Sequence, residues 1–259
     1  MALFEMHYYS KALGQHVTLN VILPEISKSH EGVGSPEGEY KTLYLLHGLT
    51  DDCNAWLRNT PIERYAKKYK IAVVMPSVAR SWYANTPYGV NYFTFVAKEL
   101  PEVCRSYFKG ISAKRKNNFI AGLSMGGYGA LKTALTYPED FAGCASLSGS
   151  LDITRKGRPT NIKEWRGNFG FDLPDALALE GSENDIYALA RKLIKKNASF
   201  PKLFLWCGSD DVIIKFNRDY SQFLTENNIP HVFKESEGDH TWKWWDLHIQ
   251  DVLEFFFGE

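Results

Sequence analysis

Short, nearly continuous apolar runs alternate with longer amphipathic segments along most of this chain. Such runs predict strands buried on both faces of a sheet, and the amphipathic segments predict the helices that cover it. Strands are predicted at 3–9, 17–23, 42–46, 71–75, 118–121, 143–149, 202–207 and 231–235. Helices are predicted at 60–70, 91–108, 127–135, 185–196, 215–227 and 242–257, with a kink or break at Pro101. This alternation predicts an α/β fold, a mostly parallel central sheet with helices on both faces.

One predicted strand runs directly into a glycine-rich turn with a central serine. The sequence GLSMG at 122–126 lies between the strand at 118–121 and the helix at 127–135. Glycines remove the Cβ atoms that would collide in so tight a turn, and the strained turn holds Ser124 exposed above the sheet. A G-x-S-x-G sequence in this context is the nucleophile elbow of the α/β-hydrolase fold, so Ser124 is predicted to be a nucleophile.

The acid of such a site is expected in a loop after a later strand, because ligand sites in open α/β sheets lie at the carboxyl ends of strands. A serine hydroxyl needs a base and a carboxylate that orients the base, in the order Ser, acid, His for this fold. Asp210 and Asp211 both follow the strand at 202–207. We favour Asp211, because the G-x-x-D spacing lets the chain turn before it presents the carboxylate. Asp210 remains the alternative, or the residue that caps the next helix.

His240 is the histidine best placed to act as the base. It lies in the loop between the last strand and the last helix, where its side chain can reach the top of the sheet. Asp239 is a weaker candidate for the acid, since a direct neighbour in sequence would be poorly directed at the imidazole. Ser124, Asp211 and His240 are therefore the predicted catalytic residues.

An oxyanion that forms on a substrate needs two backbone N–H donors. Met125 directly follows the nucleophile and is the first expected donor, and Leu49, in the loop after the strand at 42–46, is the second. Gly48 lets the backbone approach closely, and His47 is expected to support this loop by hydrogen bonding rather than to act as the base. The acidic residues and cysteine at 51–53 show no known ligand spacing, so no metal is expected.

Aromatic residues are frequent in the loops and predict an apolar pocket for a substrate. Trp82, Tyr83 and Trp165 are the predicted substrate-binding residues, although such side chains also pack loops onto a core. Trp165 lies where the periodicity is lost, at about 150–184, and we interpret this stretch as a small cap-like insertion over the active site. No linker or repeat divides the chain, so a single domain is expected over 1–259.

Charge and cysteine usage restrict the partners and the location of the protein. The 30 basic and 30 acidic residues cancel, which argues against nucleic acid or an anionic membrane as a partner. No apolar stretch is long enough to span a bilayer, and no signal peptide is visible. The 4 cysteines form no C-x-x-C pair and are expected to be reduced structural thiols. We therefore expect a cytoplasmic protein with a small-molecule ester substrate, and the sequence leaves a homo-oligomer open.

Several short motifs occur together in the order typical of one known family. They are LLHGL at 45–49, NAWL at 54–57, NYFT at 91–94, GLSMGG at 122–127, GSDD at 208–211 and DHTW at 239–242. With this set the chain resembles the esterase D / tributyrin esterase family of α/β-hydrolases, and it is also similar to feruloyl and acetylxylan esterases. The resemblance implies a cofactor-free serine carboxylesterase for short acyl chains, with Ser124, Asp211 and His240 as its triad. It also supports Leu49 and Met125 as oxyanion donors.

The predicted function is that of a serine carboxylesterase that hydrolyses short-chain acyl esters through an acyl-enzyme. Two alternatives use the same residues: a thioesterase of the S-formylglutathione hydrolase type, and a carbohydrate esterase that removes acetyl or feruloyl groups. A distant alternative is a non-catalytic binding protein on a hydrolase scaffold. A missing triad residue would be its sign, and all three residue types are present at the expected places.

Overall fold

An eight-stranded sheet forms the centre of the structure, a computed structural model that describes residues 1–25, 38–153, 162–170 and 179–258. Its strands are β1 (Ala2–Ser10), β2 (Gln15–Leu23), β3 (Thr42–Leu46), β4 (Ala72–Pro76), β5 (Asn118–Leu123), β6 (Gly143–Leu147), β7 (Lys202–Gly208) and β8 (His231–Ser236). Their order across the sheet is β1-β2-β4-β3-β5-β6-β7-β8. The β1–β2 and β2–β4 pairs are antiparallel, and all pairs among β3 to β8 are parallel, so the mostly parallel sheet is confirmed.

Helices cover both faces of this sheet. In the described part of the chain they are α1 (Ala55–Asn59), α2 (Ile62–Tyr69), α3 (Tyr92–Thr94), α4 (Leu100–Tyr107), α5 (Met125–Thr136), α6 (Ile162–Phe169), α7 (Ile186–Lys195), α8 (Ile214–Glu226) and α9 (Trp242–Phe257). Residues of α1, α2 and α9 pack on one face, and those of α4, α5, α7 and α8 pack on the other. α1 was not predicted from the sequence, because five residues are too few for a helical period to show.

The helical run before β5 is interrupted near the proline that was expected to break it. A wider π-helical turn, Phe95–Glu99, separates α3 from α4, and Pro101 is the second residue of α4. Proline has no N–H to donate to the carbonyl four residues earlier, so a regular α-helix cannot continue through this position without losing a hydrogen bond. The backbone nevertheless stays helical from α3 into α4, so the irregularity near Pro101 is a change of helix type and not a break in the chain's helical path.

The two faces of the sheet bury separate apolar clusters, which explains why the central strands are continuous apolar runs. Every residue of β3, β4, β5 and β6 is buried. In β3, Tyr44 and Leu46 pack into the cluster that includes α5, whereas Leu43 and Leu45 pack into the cluster that includes α9. Burial of each leucine side chain stabilises the fold by roughly 1.5–3 kcal/mol. No helix among the described residues is long and apolar enough to cross a membrane.

The predicted cap-like insertion at about 150–184 lies only partly within the described residues. α6 belongs to it, whereas residues 154–161 and 171–178 lie outside the part of the chain that the structure describes. Just after this stretch, Asp185 caps α7 by accepting a hydrogen bond from the N–H of Tyr187 at 2.9 Å. A single domain that carries this insertion stays a prediction.

Candidate active site

The turn between β5 and α5 holds a serine in a strained backbone conformation. Ser124 has φ 52° and ψ −115°, a region that L-residues rarely adopt, and such positions carry about 1–3 kcal/mol of strain. Its N–H donates to the carbonyl of Leu147 at 2.9 Å, and its carbonyl accepts from the N–H of Ser150 at 3.1 Å. Both bonds tie the turn to the end of β6. The hydroxyl of Ser124 is therefore held at the carboxyl edge of the sheet.

A glycine in the first turn of α5 lets the loop after β3 lie against this elbow. A Cβ atom at Gly126 would be 2.6 Å from the carbonyl oxygens of both Leu46 and His47, closer than real Cβ contacts occur. Only glycine therefore allows this approach of two backbones. As a result, the loop that contains Leu49 lies beside the start of α5, where Met125 is the first helical residue.

The side chains of Ser124, His240 and Asp211 lie in one line of hydrogen bonds. Nε2 of His240 is 3.0 Å from Oγ of Ser124. Nδ1 of His240 is 2.9 Å from Oδ2 and 3.1 Å from Oδ1 of Asp211. With a proton on Nδ1 that it donates to the carboxylate, the ring presents the lone pair of Nε2 to the hydroxyl. The structure thus brings together the three residues that the sequence put forward, and their catalytic roles stay predictions at this point.

The loops that carry the acid and the base touch each other at two glycines. A Cβ atom at Gly208, where β7 ends, would collide with the carbonyl of Gly238, two residues before His240. The same carbonyl accepts from the N–H of Asp210 at 2.9 Å, and the N–H of Ser209 donates to the carbonyl of Ser236 at 2.8 Å. These backbone contacts fix the distance between the two loops. They explain how residues 29 positions apart in sequence reach hydrogen-bond distance.

Asp211, rather than Asp210, faces the imidazole. The side chain of Asp211 is completely buried, whereas Asp210 is exposed. Burial by itself would raise the pKa of the Asp211 carboxyl. The hydrogen bond and charge of His240 and the N–H of Ile213 at 3.0 Å outweigh this effect and lower that pKa below its usual value. Asp239 instead accepts from the hydroxyl of Thr241 at 2.6 Å.

His47 supports the loop after β3, as the sequence predicts. Its Nδ1 donates to the carbonyl of Gly48 at 2.6 Å, and its Nε2 accepts from the N–H of Val78 at 3.0 Å. Burial lowers the pKa of His47, so the imidazole stays neutral in this tautomer. Both ring nitrogens are occupied, so His47 is not a second base. The roles of Leu49 and Met125 as oxyanion donors stay predictions.

The predicted substrate-binding residues have different surroundings. Trp82 and Tyr83 are buried, with exposed fractions of 3% and 0%. Trp82 packs in a T-shaped arrangement on Tyr128, and the hydroxyl of Tyr83 donates to the carbonyl of His47 at 2.9 Å. Trp165 lies in α6, and its side chain is outside the described residues. Tyr83 thus supports the loop after β3 and Trp82 packs against α5, and substrate binding by all three residues stays a prediction.

A tryptophan that was not predicted as part of the site contacts the imidazole. The ring of Trp245 packs edge to face on His240, with 5.0 Å between centroids and 88° between planes. Trp245 is buried in the first turn of α9, and Trp242 packs against it in turn. The apolar pattern of α9 predicted only a core role for this residue. Its position five residues after a loop histidine, at the start of a helix, is the signal in the sequence that could have indicated this contact.

The described residues give no indication of a metal centre. No group of three or more His, Cys, Asp or Glu side chains among them is arranged to hold a metal ion. Asp51, in the loop after β3, accepts from the N–H of Gly48 at 3.2 Å, so it braces that loop. Asp52 accepts from the N–H of Asn54 at 2.8 Å. These carboxylates have local structural contacts.

The fold and the Ser–His–Asp geometry define a class of protein, the serine hydrolases of α/β-hydrolase fold. The esterase family model, described as "Putative esterase", matches residues 10–256, and the chain belongs to this family. It is similar to an acetyl esterase of Caldicellulosiruptor saccharolyticus, with 36% identity over 98% of this chain and 98% of the relative.

Two solved structures from Staphylococcus aureus are also similar over their whole length. An S-formylglutathione hydrolase shares 35% identity at a TM-score of 0.87, over 99% of this chain and 98% of the other. A fluorophosphonate-binding serine hydrolase shares 34% identity at a TM-score of 0.85, over 100% of this chain and 99% of the other. The chain is therefore a serine carboxylic ester hydrolase, which leaves the alternative of a non-catalytic binding protein without support.

Proposed function

We propose that this esterase hydrolyses short-chain acyl esters, with Ser124 as nucleophile, His240 as general base and Asp211 as the residue that orients the base. The observation that carries the proposal is the arrangement around the imidazole. Nε2 lies 3.0 Å from Oγ of Ser124, and Nδ1 lies 2.9 Å from Oδ2 of Asp211. Both distances are within the range that proton transfer to and from a positioned base requires.

The proposed reaction begins with acyl transfer to the serine. Oγ of Ser124 attacks the carbonyl carbon of the ester while Nε2 of His240 takes the hydroxyl proton. Asp211 keeps the other ring proton on Nδ1 and stabilises the imidazolium. The carbonyl oxygen becomes an oxyanion, which the N–H groups of Leu49 and Met125 bind. His240 then gives its proton to the oxygen of the leaving alcohol, and the acyl group remains on the serine.

Water completes the cycle by the same route. His240 takes a proton from a water molecule, whose oxygen attacks the acyl-enzyme carbonyl. The second oxyanion occupies the same donors, and the proton returns from Nε2 to Oγ of Ser124 as the carboxylic acid leaves. The balance is one ester and one water converted to one alcohol and one acid. No cofactor enters either step.

We favour an ester with a short acyl chain as the substrate. The acetyl esterase relative supports it, because that protein is similar over nearly the whole of both chains. A second candidate is a thioester substrate, since the S-formylglutathione hydrolase of Staphylococcus aureus is similar to nearly the same degree. Thioester hydrolysis uses the same residues in the same order and releases a thiol in place of an alcohol.

The experiment compares substrates and removes the nucleophile. We expect kcat/KM to be highest for p-nitrophenyl acetate and to fall along butyrate and octanoate, and to exceed that for S-formylglutathione. Ser124→Ala should lower kcat on the best substrate by roughly 10⁶-fold, because this group acts as a unit with the base. Circular dichroism of the variant checks that it is folded. A folded Ser124→Ala protein with wild-type turnover contradicts the mechanism, and a preference for S-formylglutathione selects the second candidate.

We propose a cytoplasmic location because the cysteines are free thiols. All four cysteines are free thiols in buried positions: Cys53, Cys104, Cys144 and Cys207. Reduced, buried thiols are typical of proteins that work in reducing compartments. Fractionation of the producing cells with an antibody to the protein tests this, and recovery in a secreted fraction contradicts it.

A further inference from the structure

Lys132 is a fully buried amine that the proposed mechanism does not use. It lies on α5, about two helical turns after Ser124, and only 1% of it is exposed. Its Nζ donates to the carbonyl of Tyr83 at 2.9 Å and to Oδ1 of Asn184 at 2.6 Å, and it lies 4.3 Å from the ring centroid of Phe93. Burial of an ammonium group is unfavourable unless it has hydrogen-bond partners, and these contacts offset part of that penalty.

One of these contacts fixes a strained segment. Within residues 79–83, three non-glycine residues have left-handed backbones: Ala79 with φ 48°, Trp82 with φ 52° and Tyr83 with φ 48°. Such conformations persist only where the surroundings hold them. The carbonyl of Arg80 accepts from the side-chain amide of Asn168, on α6, at 2.8 Å. Lys132 holds the other end of the segment through the Tyr83 carbonyl.

The strained segment 79–83 in turn contacts the loop after β3. The hydroxyl of Tyr83 donates to the carbonyl of His47 at 2.9 Å. The N–H of Val78, one residue before the segment, donates to Nε2 of the His47 ring at 3.0 Å. His47 therefore receives hydrogen bonds on its backbone and on its side chain from this part of the chain. The residue two positions later is Leu49, the proposed oxyanion donor.

We infer that Lys132 is a positioning residue for the oxyanion site: by holding the carbonyl of Tyr83 it sets the position of the Tyr83 hydroxyl, and thereby of the loop from His47 to Leu49. This inference rests on the proposed function, because the oxyanion donor that Lys132 positions belongs to that mechanism. A change of about 1 Å in the position of a catalytic group lowers rates by about 100-fold. Removal of one oxyanion donor lowers turnover by about 10²–10³-fold, which sets the upper limit of the effect.

Asn184 adds a contact with the insertion. Its side-chain oxygen accepts from Lys132, and its backbone carbonyl accepts from the hydroxyl of Tyr128 at 2.7 Å. The same amine thus joins α5 to the segment 79–83 and to the residues that lead into α7. Two described parts of the insertion therefore contact this path: Asn168 on α6 bonds to the segment 79–83, and Asn184, before α7, bonds to Lys132.

The test uses two variants that interrupt the same path at different points. Lys132→Met removes both donated hydrogen bonds and keeps an unbranched side chain of similar length. Tyr83→Phe removes only the bond to the His47 carbonyl. Thr133→Val is the control, because Thr133 is the next residue of α5, is fully buried, and its hydroxyl has no hydrogen-bond partner among the described residues.

We expect Lys132→Met to lower kcat for p-nitrophenyl acetate by about 10- to 100-fold with KM within about twofold. Affinity for a boronic acid inhibitor, which forms a tetrahedral adduct with the serine, should fall by the same factor as kcat/KM. Tyr83→Phe should give part of this loss, and the double variant should be no worse than Lys132→Met, because both act on one path. Thr133→Val should match the wild type.

Several results would overturn the inference. Folded Lys132→Met with wild-type kcat and inhibitor affinity excludes a positioning role, and so does full additivity of the two substitutions. If Lys132→Met does not fold, Tyr83→Phe decides, and unchanged kcat in that variant overturns the inference. The wild type is measured first: absence of turnover overturns the proposed function together with this inference, whereas turnover with unaffected variants overturns this inference alone.

Discussion

The imidazole Nδ1 of His240 lies 2.9 Å from Oδ2 of Asp211, and the aspartate next to it in sequence points to solvent. The side chain of Asp211 is fully buried, while 30% of the His240 side chain is exposed. The carboxylate thus meets the ring from the protein side and leaves Nε2 facing the serine. Two adjacent aspartates in one loop have different surroundings, which makes them a matched pair for mutagenesis.

Asp211→Asn should lower kcat by about 10⁴-fold with little change in the fold. The amide has nearly the shape of the carboxylate, but its NH₂ group favours the tautomer with the proton on Nε2, which cannot accept from Ser124. Asp210→Asn is the control, and its kcat should stay within about twofold of the wild type. Steady-state kinetics on p-nitrophenyl acetate check both variants. Equal losses in the two variants would contradict the assignment of the acid.

Lys132 should make stability depend on pH in the alkaline range. Burial lowers its pKa to about 7, and the charge of nearby Glu183 acts in the opposite direction. In the unfolded chain the amine keeps a pKa near 10.4, so between about pH 7 and pH 10 the unfolded state binds more protons. The free energy of unfolding therefore rises with pH across this window, by roughly 1 kcal/mol for each pH unit. Below pH 7 the amine is protonated in both states, so its destabilising effect no longer changes with pH.

Urea unfolding at pH 7 and pH 9 measures this dependence. The difference in free energy of unfolding between the wild type and Lys132→Met should shift in favour of the wild type at the higher pH. The pH dependence that arises from titratable groups common to both proteins cancels in that comparison. A difference that is the same at both pH values would show that Lys132 keeps an ordinary pKa in the folded state.

Gly126→Ala should damage both the fold and the activity. The added Cβ would lie 2.6 Å from the carbonyl oxygens of Leu46 and His47, so the loop after β3 must move away from α5. Overpacking of this kind destabilises by about 1–3 kcal/mol, and displacement of Leu49 should lower kcat further. Thermal unfolding and kinetics measure the two effects.

Gly167→Ala provides the control for this substitution. Gly167 lies in α6, its φ is not in the left-handed region, and apart from its chain neighbours and the adjacent backbone of α6 no described atom lies within 4 Å of the added Cβ. Alanine in place of glycine should stabilise a helix by up to about 1 kcal/mol, so the melting temperature should be unchanged or higher. An equal loss of stability in both variants would mean that the close approach at Gly126 is not the cause.

The strands and the site loops were predictable because their signals are local. β3 to β6 are buried on both faces, which requires short, continuous apolar runs that a sequence shows directly. Ser124 was predictable because a strained turn requires glycines at fixed spacing. His240 and Asp211 followed from the order of the residues in this fold and the tendency of functional groups to follow strand ends.

Other features depend on contacts between distant segments and leave no local signal. A lysine on a helix is most often solvent-exposed, and the burial of Lys132 arises only because Tyr83, Asn184 and Phe93 converge on it. The edge contact of Trp245 with His240 likewise depends on how α9 is oriented against the preceding loop. Which of Asp210 and Asp211 faces the imidazole depends on how two distant backbone loops meet, whereas the spacing in the sequence only favoured Asp211.

The account rests on an activated hydroxyl at Ser124, and covalent labelling tests it most directly. The wild-type protein is treated with a fluorophosphonate probe, digested, and analysed by mass spectrometry alongside His240→Ala. We predict one adduct, on the peptide that contains Ser124, and labelling of His240→Ala that is at least about 100-fold slower. A folded wild-type protein that is not labelled, or that is labelled at another residue, would contradict the account.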